Sequence, residues 1–250
     1  MNFLKRYIYP WFIDAASLAS IVGLIVTVSS KDYAVIISLI TLCLVLVIIL
    51  ISILIAINKT ITRNHPEEYK KVSSFYIFQC DDGIHSTFET YRLIQCKRPI
   101  LSKLEYKYKW SGDIFPKISS DNQLIEQLPP NNDPCRYDSA IIKFAKPLTY
   151  NESTVLHIKT ENDDTDGKAK PYLECKLTSS IEIMQFKILL GYKPDTYSKV
   201  AIIKRRLIES ETTSEFETMG SVSFNQKYKQ YSHVILRPDA GYIYRIEWEK

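Results

Sequence analysis

The sequence predicts an N-terminal transmembrane hairpin of two helices, followed by an all-β cytoplasmic domain. The second part is expected to be an antiparallel β-sandwich or barrel of about ten strands. Residues 33–57 carry no charge, and residues 15–30 are uncharged as well. After residue 72 apolar and polar residues alternate in short segments that turn residues separate. The chain of 250 residues leaves one domain of ordinary size after the membrane segment.

The two apolar runs define the hairpin. At ~1.5 Å per residue the second run crosses a hydrocarbon core of ~30 Å. Only Lys31 and Asp32 separate the runs, so two spanning helices would be antiparallel. The predicted boundaries are a hairpin at 1–58 (helices at about 11–30 and 33–57), a polar juxtamembrane linker at 59–71 and a β-rich domain at 72–250.

Cations at the two ends of the hairpin predict its orientation. They are Lys5, Arg6, Lys59, Arg63, Lys70 and Lys71. By the positive-inside rule we expect a multi-pass protein of the cell inner membrane with both termini in the cytoplasm. A secretory signal peptide is the competing interpretation, but the cleavage-like residues 15–20 precede the apolar core instead of following it. The chain has five cysteines and no C-x-x-C pair, which favours small buried thiols in a reducing compartment over disulfides.

Short segments in which apolar and polar residues alternate predict the strands. In residues 104–110 the apolar members are Leu104, Tyr106, Tyr108 and Trp110, with charged residues between them. No amphipathic helix is predicted between the segments. The predicted strands cover residues 73–80, 87–96, 104–110, 139–144, 155–160, 172–177, 181–190, 200–208, 221–225 and 242–248.

A search for catalytic motifs finds none, so we expect a non-enzymatic protein with no cofactor and no metal site. The sequence has no P-loop, no nucleophile elbow, no H-E-x-x-H and no dinucleotide-binding glycine motif. Residues 162–167 resemble the first half of an EF-hand loop. The twelfth position is Leu173 where a glutamate is required, which favours an acidic hairpin tip.

Two basic clusters in the β-rich part are candidates for a ligand or partner face. They consist of Lys103, Lys107 and Lys109, and of Lys204, Arg205 and Arg206. Cations interleaved with aromatic residues bind nucleotides or single-stranded nucleic acid by phosphate contacts and stacking. The alternative is a solvated outer sheet face that blunts edge-to-edge pairing.

Small residues in the first predicted helix form one stripe, at Ala16, Ser20, Gly23 and Thr27. Such stripes allow helices to approach closely, so we expect a homo-oligomer assembled in the lipid bilayer through the hairpin. Asp14 near the start of this helix is either a favourable N-terminal anion or a residue at a pore mouth.

The layout of hairpin, linker and β-rich domain resembles the two-transmembrane membrane effectors of prokaryotic antiphage operons. It is similar to the membrane effectors of retrons, and also to two-helix, β-rich effectors of cyclic-oligonucleotide signalling systems. The resemblance covers the whole chain as architecture, and its motifs are the hairpin at residues 12–57 and the ending at residues 241–248. It implies loss of inner-membrane integrity in infected cells, with a reverse transcriptase–msDNA complex or a nucleotide second messenger as partner.

We therefore expect a membrane effector of abortive infection whose β-domain is triggered or released by a partner. The alternatives are a membrane-anchored β-sandwich that serves as a binding or scaffold module, and a cyclic-nucleotide-gated membrane effector. An anchored hydrolase would need acid–base residues that the sequence does not offer.

Overall fold

A computed structural model describes residue 23 and residues 31–64, 67–111, 114–130, 137–208 and 215–250. The chain divides into two compact units, Met1–Asn64 and His65–Lys250.

The first unit contains one long apolar helix, α1 (Lys31–Asn64). Within it, the 29 residues Val35–Arg63 have the length and composition of a membrane span, and none of that surface is buried. The hydroxyls of Thr41, Ser52 and Thr60 each donate to the backbone carbonyl four residues earlier, at 2.7, 2.7 and 2.8 Å. These three hydroxyls are thereby satisfied within the helix itself.

The prediction of a two-helix hairpin is wrong for this unit. In the described residues one helix has the character of a membrane span, where the sequence predicted a pair. The first predicted helix, with Asp14, Ala16, Ser20 and Thr27, lies outside the described residues, and only Gly23 of its stripe is described. The expectations of a multi-pass topology and of both termini in the cytoplasm depended on two spans, and one span does not support them.

The second unit consists of thirteen strands in the described residues. They are β1 (Tyr69–Cys80), β2 (His85–Cys96), β3 (Ile100–Tyr108), β4 (Lys117–Ser119), β5 (Leu124–Gln127), β6 (Asp138–Thr149), β7 (Ser153–Asp163), β8 (Tyr172–Leu177), β9 (Ile183–Leu190), β10 (Val200–Leu207), β11 (Glu217–Ser223), β12 (Gln230–Leu236) and β13 (Tyr242–Glu247). The predicted linker at 59–71 therefore contains the end of α1 and the start of β1.

These strands form three sheets instead of the predicted simple sandwich or barrel. Sheet A has the order β12-β9-β1-β2-β7-β4, sheet B the order β3-β6-β5, and sheet C the order β11-β10-β13-β8. Most neighbours are antiparallel, but β1 and β9 pair in parallel. A parallel pair requires a long crossover, and here the chain between β1 and β9 builds β2 through β8.

Two apolar cores place sheets B and C side by side on one face of sheet A. The first core joins Phe186 and Ile188 of sheet A to Ile203 and Ile246 of sheet C. The second core joins β2 and β7 of sheet A to sheet B. Strict alternation specifies which face each strand buries, as in β9, where every second residue is buried. Sheet A is therefore a shared wall with an inner face toward sheets B and C and an outer face away from them.

Candidate functional site: a cleft where three sheets meet

A cleft of about 630 Å³ lies in the second unit, with residues of all three sheets in its lining. Its floor is the inner face of sheet A along the hairpin of β1 and β2. Strand register places Phe78 opposite Phe88, and Cys80 opposite Ser86, which in turn is opposite Asn162 of β7. Six residues separate Ser86 from Arg92 on the same face of β2, so the floor is about 20 Å long.

The side walls of the cleft are two edge strands. Tyr106 and Tyr108, with the residues that come after β3, form the wall from sheet B, and all of β8 forms the wall from sheet C. The Ser111 hydroxyl accepts a hydrogen bond from the Lys170 amide at 3.1 Å and so joins the two walls. Tyr76 on the floor contacts Cys175 of β8, with 2.7 Å between its hydroxyl oxygen and the sulfur.

Arg92 lies at one end of the floor, and no carboxylate of the described residues is within salt-bridge distance of its guanidinium. Its guanidinium carbon is 5.8 Å from the ring centroid of Tyr76 and 5.4 Å from that of Tyr106. It forms no salt bridge within the described ranges, and its Nε–H, although excluded from solvent, has no hydrogen-bond partner there. Removing a guanidinium from water without a carboxylate partner is costly, so this side chain is poised to receive an anion.

Two further polar groups without partners point to the same cleft. The indole Nε1–H of Trp110 and the amide Oδ1 of Asn162 are excluded from solvent and have no hydrogen-bond partner among the described residues. Asn162 as a whole is only 6% exposed. Native structures satisfy nearly all buried polar groups, so such atoms are exceptions. Three of them belong to residues that line this cleft, and others among the described residues, such as Thr90 Oγ1 and His157 Nε2, lie outside its lining.

Beyond Asn162, a lysine closes the acidic turn that resembled an EF-hand. The Lys250 ammonium contacts Asp164 Oδ2 at 2.6 Å and the carbonyl oxygens of Gly167 and Ala169. Asp163 and Asp164 accept backbone N–H groups of the turn. The carboxylates thus organise a turn, and the described residues contain no group of His, Cys, Asp and Glu side chains that fits a metal ion.

The lining of the cleft is aromatic and basic. In the described part of the chain it includes ten aromatic side chains, seven cationic ones and two acidic ones. Its thiols belong to Cys80 and Cys175, and burial raises the pKa of both, so they remain protonated at neutral pH. Burial also raises the pKa of the Tyr106 hydroxyl. The cleft therefore offers ring surfaces and positive charge, with neutral thiols and phenols.

The structure separates the two predicted basic clusters. Lys103, Lys107 and Lys109 lie exposed along one side of β3 and its end, with Tyr106 on the other side, and the latter two lysines line the cleft. Lys204 pairs with Glu247, and Arg205 pairs with Glu217 and with Asp239. Arg206 stacks over the ring of Phe216 at 4.5 Å. The cations on β10 lie among acidic and aromatic partners, away from the lining of the cleft.

Sequence reasoning missed the residues that define this cleft, although one signal was present. In the predicted strand at 87–96, Phe88, Thr90, Ile94 and Cys96 share a face with Arg92. A cation on a strand face that is otherwise uncharged and mostly apolar is unusual, because such a face packs against a core. Trp110 and Asn162 gave no comparable signal, since only the meeting of three sheets brings them to one cavity.

Comparisons with known proteins give weak likenesses. No known protein-family model matches the chain, and no curated protein matches it. Among solved structures, the M1 zinc metallopeptidase of Deinococcus radiodurans is similar at 9% identity over 72% of this chain and 42% of that one, with a TM-score of 0.41. Yeast LTA4 hydrolase matches at 8% identity over 68% of this chain and 29% of its own, with a TM-score of 0.36.

A putative nutrient binding protein of Legionella pneumophila matches at 10% identity over 72% of this chain and 67% of its own, with a TM-score of 0.36. This chain spans about two fifths of the length of the first metallopeptidases it matches, 42% in each of the first three. Likenesses at these TM-scores carry no argument about function.

Proposed function

We propose that this protein is a membrane-anchored receptor whose cleft binds a small molecule that combines an anionic group with a planar ring. The observation that carries the proposal is the set of three solvent-excluded polar groups without described partners in one aromatic cleft. A volume of about 630 Å³ lies within the ordinary range of small-molecule sites, ~300–1,000 Å³. The protein acts by binding and not by catalysis in this proposal.

The arrangement of the cleft assigns a part of the ligand to each end. Arg92 offers N–H donors to an anionic group, and a bidentate contact would satisfy its charge. In the middle, Phe78 lies opposite Phe88 and 5.1 Å from the ring of Trp248, which gives a surface for a planar ring. At the far end Asn162 Oδ1 would accept an N–H or O–H of that ring. A nucleotide has all three features, so it is the probe of choice.

Helix α1 is proposed as the anchor in the cell inner membrane, with the second unit in the cytoplasm. The helix is 34 residues long, beyond the 7–15 apolar residues of a typical signal peptide. Lys59 and Arg63 lie at its C-terminal end, which favours a cytoplasmic location for the second unit. Cys80, Cys96 and Cys175 are free and buried, which agrees with a reducing compartment.

Intrinsic fluorescence provides a direct test of the receptor. Two of the three tryptophans, Trp110 and Trp248, line the cleft. We would titrate the full chain in detergent with adenosine monophosphate, adenosine and inorganic phosphate. We expect a saturable fluorescence change with the nucleotide, and a much weaker response to either part alone, because the anion and the ring occupy different ends. A chain whose fluorescence responds identically to all three probes, or to none, contradicts the proposal.

A second proposal is that ligand binding controls an effector of antiphage defence that damages the membrane. It is favoured by α1, whose apolar surface is fully exposed along the span. A nucleotide second messenger would act through the cleft, whereas a reverse transcriptase–msDNA complex would act on the surface of the second unit. Switching requires that the partner favours one of two membrane states.

The effector proposal is tested in bacteria by recording membrane potential after induction of the chain alone and again during phage infection with its neighbouring genes. We expect depolarisation that the Arg92→Met substitution abolishes when a small messenger is the trigger. Depolarisation that is unchanged by this substitution would assign the trigger to a protein or nucleic-acid partner. An intact membrane potential under every condition would contradict the effector proposal and leave the receptor proposal unaffected.

A further inference from the structure

The outer face of sheet A carries an apolar strip whose members are exposed or half-buried. We propose that this strip binds the surface of an anionic lipid bilayer. We define the outer strip as Phe75, Leu93, Val155, Ile183, Val234 and Leu236. The inference rests on the proposed anchoring through α1 and goes beyond it, because it assigns a membrane contact to the β-rich unit.

Strand register aligns four members of the outer strip in one row, with Ser73 between Ile183 and Leu93. Leu236 is opposite Ile183, which is opposite Ser73 of β1. Ser73 is opposite Leu93, and Leu93 is opposite Val155. One row of side chains therefore crosses five strands, about 19 Å at the usual strand spacing of ~4.8 Å.

The strip is exposed and does not belong to either core. Leu236 is 71% exposed, Val234 47%, Val155 43% and Ile183 37%. None of its six members belongs to, or packs against, the two core clusters. Contiguous apolar surface of this kind marks an interaction site, since isolated exposed apolar residues are ordinary but an aligned row is not.

The charges that border the strip favour an anionic lipid surface as its occupant. Lys70 lies opposite Gln95 at one end of the same face. Toward the other end, Lys187 and Glu89 lie on either side of Ile77, so one carboxylate accompanies the two lysines. Neither lysine forms a salt bridge with a residue that the structure describes. Apolar side chains flanked by free cations bind anionic bilayers by partial insertion combined with electrostatic attraction.

Chain connectivity supplies the second argument. Only four residues separate the last residue of α1, Asn64, from the first residue of β1, Tyr69. A unit anchored through α1 is therefore retained at the bilayer surface, where even a weak contact is populated because its effective concentration is high.

Photocrosslinking tests the contact in the full chain. The protein is reconstituted into vesicles of phosphatidylcholine with or without phosphatidylserine, with benzoylphenylalanine in place of Leu236. The matched control carries it in place of Leu124 on β5, which is 69% exposed but lies on sheet B. We expect lipid adducts at position 236 to exceed those at position 124 several-fold. The excess should increase with phosphatidylserine and decrease with Lys187→Glu.

Equal lipid adducts at positions 236 and 124 would overturn the proposal. Adducts at position 236 with a second copy of the chain would also overturn it and assign the strip to self-association. Carbonate extraction of the same vesicles separates the two levels of inference. A chain released by carbonate refutes the anchor itself, whereas a chain that stays in the membrane without adducts at position 236 refutes only the outer strip.

Discussion

Replacement of Arg92 by Met should weaken ligand binding and leave the folded state almost as stable as before. Arg92 has two ring contacts, Tyr76 and Tyr106, but no carboxylate partner among the described residues. At a desolvated site such as this one, loss of each ring contact costs about 2 kcal/mol. The substitution also removes a desolvated charge, which offsets that cost. We expect a net change in the free energy of unfolding within about 1 kcal/mol of zero.

Arg245→Met is the matched control for stability. Arg245 also stacks on two rings, those of Tyr172 at 4.1 Å and Phe216 at 3.9 Å, but it pairs in addition with Glu174 and Glu247. Its removal leaves two partly buried carboxylates without that partner, so we expect a loss of about 2 kcal/mol. In thermal unfolding this corresponds to a decrease in Tm of about 4–8 °C for a unit of this size.

The two variants are compared by circular dichroism during heating in detergent, and by the fluorescence titration with adenosine monophosphate. A charge-assisted hydrogen bond contributes ~1.5–3 kcal/mol, so Arg92→Met should raise the Kd by about 10- to 150-fold. If Arg92→Met lowers Tm as much as Arg245→Met does, Arg92 is a structural residue and the reasoning is refuted. A variant that keeps both its Tm and its affinity would equally refute the role of the guanidinium.

Three other predictions concern the cleft and its rim. Asn162→Leu should raise the Kd for the nucleotide by roughly tenfold with little change in Tm, because its Oδ1 has no described partner to lose. Gly83 has a φ of +85°, so Gly83→Ala should destabilise the protein by about 1 kcal/mol in thermal unfolding. The hydrogen bond that His85 donates to the Asp82 carboxylate raises the pKa of His85 above its usual 6.5, and the same contact lowers the pKa of Asp82 from 3.8 to about 2. The stabilisation from this ion pair should be complete between the usual pKa values of 3.8 and 6.5. It should decrease as the pH rises through the raised pKa of His85 or falls through the lowered pKa of Asp82. Tm is measured against pH for the wild type and His85→Gln, and a Tm difference that does not change with pH contradicts the prediction.

The sequence predicted strands best where alternation was strong and turns were clear. The segment at 172–177 coincides with β8, and the one at 200–208 differs from β10 by one residue. β4 and β5 were missed because three or four residues are too few for a periodic pattern. β12 was missed because its polar members, among them Ser232, interrupt the apolar alternation. Boundaries were otherwise too short at β6, where the prediction ended at residue 144 and the strand continues to Thr149.

The division into three sheets was beyond local patterns, since alternation shows that a face is buried but not what covers it. Alternation in residues 104–110 predicts that Tyr106 faces inward, and both Tyr106 and Tyr76 are buried. Tyr106 belongs to the core of sheet B and Tyr76 to that of sheet C. The gap between these cores is the cleft, and it arises because no strand joins β3 to β8 in the described residues.

The gap between sheets B and C also allows a ligand in the cleft to change the conformation of the protein. Sheets B and C are separate layers on a common wall, and within the cleft Arg92 lies between a ring from each core. A ligand that contacts β3 and β8 together would join two layers between which the described residues form the Ser111–Lys170 hydrogen bond. Such a ligand binds best to one spacing of the two sheets, and that difference in affinity is the only means by which binding can shift a conformational equilibrium. The cleft thus provides both the recognition and the differential contact that a receptor requires.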